Sequence, residues 1–362
     1  MTNQDLSKEL HKFRLKSAAP DAHLSISFAD GSTDTYVSGD ASADTLFQIG
    51  SITKSFTAVI VLQLIAEKKL SINDTIGQIS ERYGPWLTQE QTSLWKDITI
   101  KQLLNMTSGI FDVVEDQDFM NEIAKNPKKS WSQQEVIQYA YQHKSYFQPG
   151  AGWHYSNTAY NILGLMIEKI TKQTFKHEIN RRILQPFALN HTYYLTNRYS
   201  EKLVARGISY SGGGYSPPIK SGTDMTQFNL SAAGPSGALI SNTQDITRWV
   251  KLLFTGKILG EKQLTLMKAA VCMSTDQYCQ AGMPLNKNSS NDGYSLGLAQ
   301  MVHPKLGLIW FYVGSTPGYY SAFLWLPKSK TSLALCVSST SPESKNILKR
   351  LVEIASLPDT KQ

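Results

Sequence analysis

The chain has 362 residues, enough for a large core and two structural lobes, and a formal charge of +7 at pH 7. With 41% apolar and 18% charged residues it is a folded globular protein, not a disordered or fibrous one. Its basic residues are scattered in short pairs such as Lys68-Lys69, Lys128-Lys129 and Arg181-Arg182. They read as solvated faces and not as a nucleic-acid interface, since no helix-turn-helix, zinc-finger or aromatic signature accompanies them.

The opening residues, "MTNQDLSKELHKF", lack the apolar run of an export signal, and the longest mainly apolar stretch, Phe56 to Ala66, is too short to cross a bilayer. Two origins stay open: a cytosolic protein, or an exported one whose signal was replaced by a starting Met. "AHLSISFADGSTDTYVSG" alternates around Asp30-Gly31 and predicts a hairpin. An apolar helix follows from Ser51. From Leu70 to Met225 the signals are mainly helical. "ITIKQLLNMTSGI" predicts a short helix stopped by Gly109, and "NTAYNILGLMIEKITKQ" has apolar residues at helical spacing. "SYSGGGYSPPIKSGTD" predicts a flexible loop. A helix over "TQDITRWVKLLFTG" ends at Gly256. Strands are expected at Tyr294–Leu298, Leu308–Val313, Ala322–Leu326 and Leu333–Val337, and a last helix with Ser341 as N-cap and Pro342 at its first position.

Strands at both ends and helices between predict an α/β (α+β) fold. Its antiparallel sheet, flanked by N- and C-terminal helices, takes residues 1–69 and 230–362, with a mainly helical lobe of 70–229 inserted and the active site in the cleft between. Cys272 and Cys279 lie close together in a polar context, so a small disulfide and two free thiols are equally open; Cys336, in an apolar strand pattern, reads as a buried thiol. No Cys or His spacing suits a metal.

Three short elements carry chemistry. Ser51 and Lys54 are three apart, hence on one helical face. Burial and the positive end of a helix both favour a neutral amine there, which can take the serine's proton. Alone, the pair also fits a capping serine and a snorkelling lysine. Tyr155 and Asn157 lie in a turn entering a helix. A phenol near a cationic lysine ionises more easily and can relay protons; the asparagine offers a donor and an acceptor to a substrate amide or to Lys54. "YVGSTPGYYSAF", beginning at Tyr312, holds Gly314, which lets a ligand approach the backbone, and Ser315, whose N–H can form half of an oxyanion hole with that of Ser51. His154 and His303 read as a cleft-wall residue and a turn residue.

In order, Ser51-Ile-Thr-Lys54, Tyr155-Ser-Asn157 and Tyr312-Val-Gly314 resemble the S-x-x-K, Y-x-N and K-T-G or H-x-G motifs of the serine penicillin-recognising family: class C β-lactamases, DD-peptidases and related esterases and D-amino-acid peptidases. "FQPGAGWHYSNTAYNILGLMIEKIT", "AAGPSGALISNTQDITRWV" and "STPGYYSAFLWLP" are similar to further family phrases, so the resemblance runs from about Ala22 to Ser338. It implies Ser51 as acylated nucleophile, Lys54 as its activator, and Tyr155 as proton shuttle. Asn157, Tyr312, Gly314 and Ser315 would bind substrate, and the N–H groups of Ser51 and Ser315 would form the oxyanion hole. No metal or organic cofactor is implied. The partner would be a small-molecule or cell-wall peptide substrate, with no nucleic acid and no transmembrane segment, and the location periplasmic or secreted, with cytoplasmic not excluded.

The third motif departs from the family. Tyr312 stands where a cation is usual and Val313 where a hydroxyl is frequent, which puts recognition of a substrate carboxylate in doubt. A neighbouring cation such as Lys220 can substitute. The expected function is a serine hydrolase forming an acyl-enzyme with a D-Ala-type peptide, a β-lactam or a carboxylic ester. The alternative is an inactive peptidoglycan or penicillin sensor on the same scaffold.

Overall fold

The computed structural model describes residues 3–196, 203–210, 218–275, 279–285 and 292–357. The chain opens with α1 (Asn3–Lys16), the hairpin β1 (Ala22–Ser27) and β2 (Thr33–Ser38), a short β3 (Phe47–Gln48) and α2 (Thr53–Ala66). Helices follow: α3 (Ile76–Tyr83), α4 (Gln89–Trp95), α5 (Ile100–Leu104), α6 (Gln117–Lys125), α7 (Gln133–Tyr141), α8 (Asn157–Thr171) and α9 (Phe175–Ile179). The short strands β4 (Tyr193–Tyr194), β5 (Ile208–Ser209), β6 (Thr223–Asp224) and β7 (Leu239–Ser241) lead to α10 (Thr243–Phe254) and α11 (Glu261–Met267). The chain closes with β8 (Val271–Cys272), β9 (Gly293–Tyr294), β10 (Ala299–His303), β11 (Gly307–Thr316), β12 (Tyr319–Leu326), β13 (Thr331–Val337) and α12 (Ile347–Ala355).

The main sheet has the order β2-β1-β13-β12-β11-β10-β9-β8, and every pairing in it is antiparallel. β1 from the N-terminus lies between β2 and β13, so the two ends of the chain share one sheet. Both faces are covered. Ser25 of β1 and Ser332 of β13 bond to α10, through Thr243 Oγ1 at 2.7 Å and Thr247 O at 3.0 Å. Ile26 and Leu333, one residue along each strand, face the other side with Leu6 of α1 and Ile354 of α12. Arg350 of α12 donates to Glu9 of α1 at 2.8 Å and ties the terminal helices together.

Several boundaries moved. The expected strand at Tyr294–Leu298 stops at Tyr294: Ser295 N–H donates to Leu298 O at 2.8 Å across a turn in which Gly297 has φ +78°. The strand that follows, β10, reads "AQMVH", whose half-polar sequence hides it. α5 ends at Leu104, not at Gly109, because Met106 takes a left-handed φ of +66°. Ser341 Oγ accepts from Ser344 N–H, but in a 3-10 turn ahead of α12, which starts at Ile347. α8 begins at Asn157 with Ser156 as its cap, Oγ accepting from Ala159 N–H. Cys272 and Cys279 are bridged, and Cys336 is a buried thiol. Residues 211–217 of the Gly/Pro loop lie outside the described residues; β5 and β6 pair at its ends. No helix among the described residues is long and apolar enough to cross a membrane.

Candidate active site

Ser51 sits in a 3-10 turn, Gly50–Ile52, between β3 and α2. Gly50 has φ +49°, and a Cβ there would lie 2.6 Å from Ser315 O. Across the same contact a Cβ at Gly314 would lie 1.9 Å from Ile49 O. So the turn carrying Ser51 and strand β11 meet backbone to backbone, and glycine at both positions is what allows it. Ser321 Oγ, from β12, donates to Ile49 O at 2.9 Å and pins the turn from the strand beyond.

α2 is apolar nearly all round and buried accordingly. Phe56 stacks on Trp249 of α10 at 3.7 Å, and Trp249 Nε1 donates to Ser55 Oγ at 3.0 Å. A helix so enclosed takes its lysine in with it: Lys54 is fully buried. Its Nζ reaches Ser51 Oγ at 3.0 Å, Asn157 Oδ1 at 2.7 Å and Ser236 O at 2.8 Å. Two of these are carbonyl oxygens, which only accept. A neutral amine therefore donates to Asn157 and Ser236 and keeps its lone pair for the serine hydroxyl. Burial pushes the lysine well below its ordinary pKa, against the pull of the nearby Asp112 carboxylate.

Tyr155 Oη donates to Ser51 Oγ at 2.8 Å, so serine, lysine and tyrosine meet at one oxygen. Burial raises the tyrosine well above the ordinary phenol value. Desolvation outweighs any easing of its ionisation by Lys54, whose Nζ lies over the ring, 4.8 Å from its centroid. Tyr155 is therefore held as a neutral phenol.

Strand alternation divides the third motif. Val313 and Ser315 line the cavity in front of Ser51, and Tyr312, one residue away, does not. Tyr312 is buried, with its hydroxyl 2.5 Å from that of Tyr294 and the two rings edge to face at 6.0 Å. Tyr294 in turn stands edge-on to Tyr155 at 6.5 Å. The backbones of Gly314 and Ser315 lie against the turn that carries Ser51.

Asn157 lines the cavity and makes the contact to Lys54 that was one of its two expected parts. Its Oδ1 accepts from Lys54, and its Nδ2 donates to both oxygens of Asp112, at 3.2 and 3.1 Å. Asp112 was not singled out from the sequence. Its signal is there, one acid inside the apolar run Ile110-Phe111-Asp112-Val113-Val114. Such a residue is buried with a partner or the run is not buried at all.

The cavity holds about 400 Å³. Val113, Val114, Phe119, Ile123 and Phe228 give it an apolar wall, and Asp112 and Glu115 supply two carboxylates. No lysine, arginine or histidine lines it among the described residues, and Lys220 is not part of its wall. Glu115 is braced from behind: Tyr146 Oη donates to its Oε2 at 2.6 Å, and His154 Nε2 lies 3.6 Å from its Oε1. His154 thus has an acid neighbour the sequence did not reveal, while its Nδ1–H donates to Tyr155 O at 2.9 Å and its ring stacks on Tyr146 at 3.7 Å.

A family model described as Beta-lactamase matches residues 23–356. The chain is 32% identical over 211 residues to Protein flp of Staphylococcus aureus (strain COL), which covers 58% of this chain and 39% of that protein. The chain thus spans about two fifths of the length of that curated relative. Among solved structures it superposes on a D-stereospecific amidohydrolase from Streptomyces sp. with a TM-score of 0.82 at 24% identity, covering 98% of both chains. It superposes on the D-amino acid amidase from Ochrobactrum anthropi SV3 complexed with D-phenylalanine with a TM-score of 0.78 at 22% identity, covering 97% of this chain and 99% of that one.

Proposed function

The chain belongs to the Beta-lactamase family, and on that premise we propose that it is a serine hydrolase cleaving an amide or ester through an acyl-enzyme on Ser51. The observation that carries the proposal is the meeting of Lys54 Nζ and Tyr155 Oη at Ser51 Oγ, at the mouth of a 400 Å³ cavity. In acylation Lys54 takes the Ser51 proton as Oγ attacks the substrate carbonyl. The oxyanion forms between the N–H groups of Ser51 and Ser315. The proton then passes from Lys54 through Tyr155 to the leaving nitrogen or oxygen, and water releases the acyl group by the same relay in reverse.

The wall of the cavity narrows the substrate class. With two carboxylates and no cation there, a free carboxylate on the leaving side is disfavoured. An apolar acyl side chain fits the Val114–Phe119–Phe228 wall, and an amine on the acyl part fits Glu115. Amides and esters of apolar amino acids meet all three conditions. D-Phenylalanine amide is the first compound to try, since one protein of this fold is described as a D-amino acid amidase and another as a D-stereospecific amidohydrolase. The Cys272–Cys279 bridge supports export to an oxidising compartment, periplasmic or secreted.

The deciding measurement is kcat/KM for matched substrates, one with a free C-terminal carboxylate and one amidated, alongside a fluorophosphonate label traced to its residue. The amidated partner should be cut faster by about tenfold, the worth of one lost charge-assisted contact. A clear preference for the free acid removes the proposed selectivity. A label on Ser51 with no turnover of any ester, D-amino acid amide, D-Ala peptide or cephalosporin leaves the binding-protein alternative.

A further inference from the structure

Asp112 has no part in the steps above, yet it is built into them. It is 3% exposed and stands in the cavity wall beside Asn157. Its carboxylate accepts the backbone N–H of Asn157 at 2.9 Å as well as both contacts from Nδ2. These bonds allow the amide of Asn157 one orientation. Nδ2 faces the carboxylate, so Oδ1 faces Lys54 Nζ at 2.7 Å. Were the amide turned over, N–H donors would confront the lysine, and two acceptors would confront each other at Asp112.

We propose that Asp112 is a positioning residue for the Ser51–Lys54 pair: through Asn157 it sets the direction of the amide dipole at Lys54, and it supplies the negative charge that holds a proton on the lysine. This rests on the roles given above to Ser51 and Lys54. Burial drives lysine and aspartate alike toward their neutral forms, and each charge opposes that drift in the other. The other groups facing the pair are phenols. Tyr155 and Tyr160 lie under Lys54, with ring centroids 4.8 and 5.6 Å from Nζ, and Tyr294 and Tyr312 stand behind Tyr155 on β9 and β11. Tyr146 Oη accepts the Asp112 N–H at 3.0 Å and donates its own hydrogen bond to Glu115, the remaining acid nearby. Burial raises the pKa of all five tyrosines, so they stay neutral. Removing the Asp112 charge therefore removes the buried anion that favours the ammonium, and Lys54 loses its proton at lower pH.

The test reads Lys54 directly. Protein carrying ¹³C at lysine Cε is titrated by NMR, with the Lys54 signal identified by its loss in Lys54→Met, and the rate of Ser51 labelling by a fluorophosphonate is followed against pH in the same proteins. Asp112→Asn keeps the shape and an acceptor oxygen but drops the charge. In it the Lys54 midpoint and the acid limb of labelling should both move to lower pH by about one unit. Asp112→Glu restores the charge and should return both most of the way. An unmoved Lys54 midpoint in Asp112→Asn overturns the inference, whatever the rates do. A moved midpoint in a protein whose Ser51 never labels supports the role of Asp112 and instead sinks the hydrolase reading. Should Asp112→Asn fail to melt cooperatively, the wild type decides. Its Lys54 signal must show a second, more acidic inflection as the carboxylate titrates, and a single inflection overturns the inference.

Discussion

Two charge clusters hang on α2, one at each end, and they are built in opposite ways. Near its start, Lys54 and Asp112 are separated by the amide of Asn157. Just past its end, Glu67 meets Arg182 directly, and Arg182 Nε also lies 2.5 Å from Glu178 Oε2. The contact with Arg182 holds the Glu67 carboxyl down at about 2, well below the usual carboxylate range. Lys54 and Asp112 move the other way, each toward neutrality, because burial acts on both and no direct bond offsets it. Direct contact freezes a charge, whereas an interposed amide leaves a proton free to move.

The largest effect expected from breaking this contrast lies in the frozen cluster. Arg182→Met leaves Glu178, whose side chain is 1% exposed, with Arg181 as its one remaining ionic partner, and should cost about 3 kcal/mol of stability in urea titration. Activity per folded molecule should be unchanged. If activity falls and stability does not, the two clusters are not distinct in kind.

His23 sharpens the contrast as a buried group with neither a direct partner nor a relay. Neither ring nitrogen is bonded, Phe47 stands edge-on at 4.8 Å, and burial pushes its pKa down to about 4. The unfolded chain thus takes up the proton first, near pH 6.5. Stability should be full above that value and fall as pH drops toward 4, by up to about 3 kcal/mol. His23→Leu should flatten that slope, and an unchanged slope would assign the acid sensitivity elsewhere.

In the mobile cluster the expected loss is kinetic. Lys54→Met and Tyr155→Phe should each slow Ser51 acylation about a hundredfold or more, and the double variant should lose little beyond that, because the two serve one proton path. Additive losses in a double-mutant cycle would separate them. Smallest is Glu115→Gln, which should lower kcat/KM for amine-bearing substrates about tenfold and leave N-acetylated ones unchanged.

The sequence displayed Ser51, Lys54, Tyr155 and Asn157 because each pair is local, its spacing fixed by one turn of chain. It hid Asp112 because the bonds to Asn157 span 45 residues and reach from a loop, which has no period. The same holds for Glu115 and His154, joined only when the residues around Tyr146 fold between them. Strands β11 to β13 were legible from their apolar runs, whereas β10, at the half-polar rim of the sheet, was not. The side of Tyr312 was hidden for want of a register: alternation says that Tyr312 and Val313 part company, but only the contact of Gly314 with Ile49 says which one faces the cavity.

The backbone crossing of Gly50 and Ser315 also bears on how this enzyme class diversifies. Ser51 is held by main chain pressed on main chain, not by side chains that face the cavity. Positions 312 and 313 are then free to drift from cation to phenol and from hydroxyl to isopropyl without displacing Ser51, whereas any side chain at 50 or 314 must push the turn and strand apart. A library that varies 113, 114, 115 and 313 explores new substrates on an unchanged reactive centre, and one that varies 50 or 314 tests only whether the centre survives.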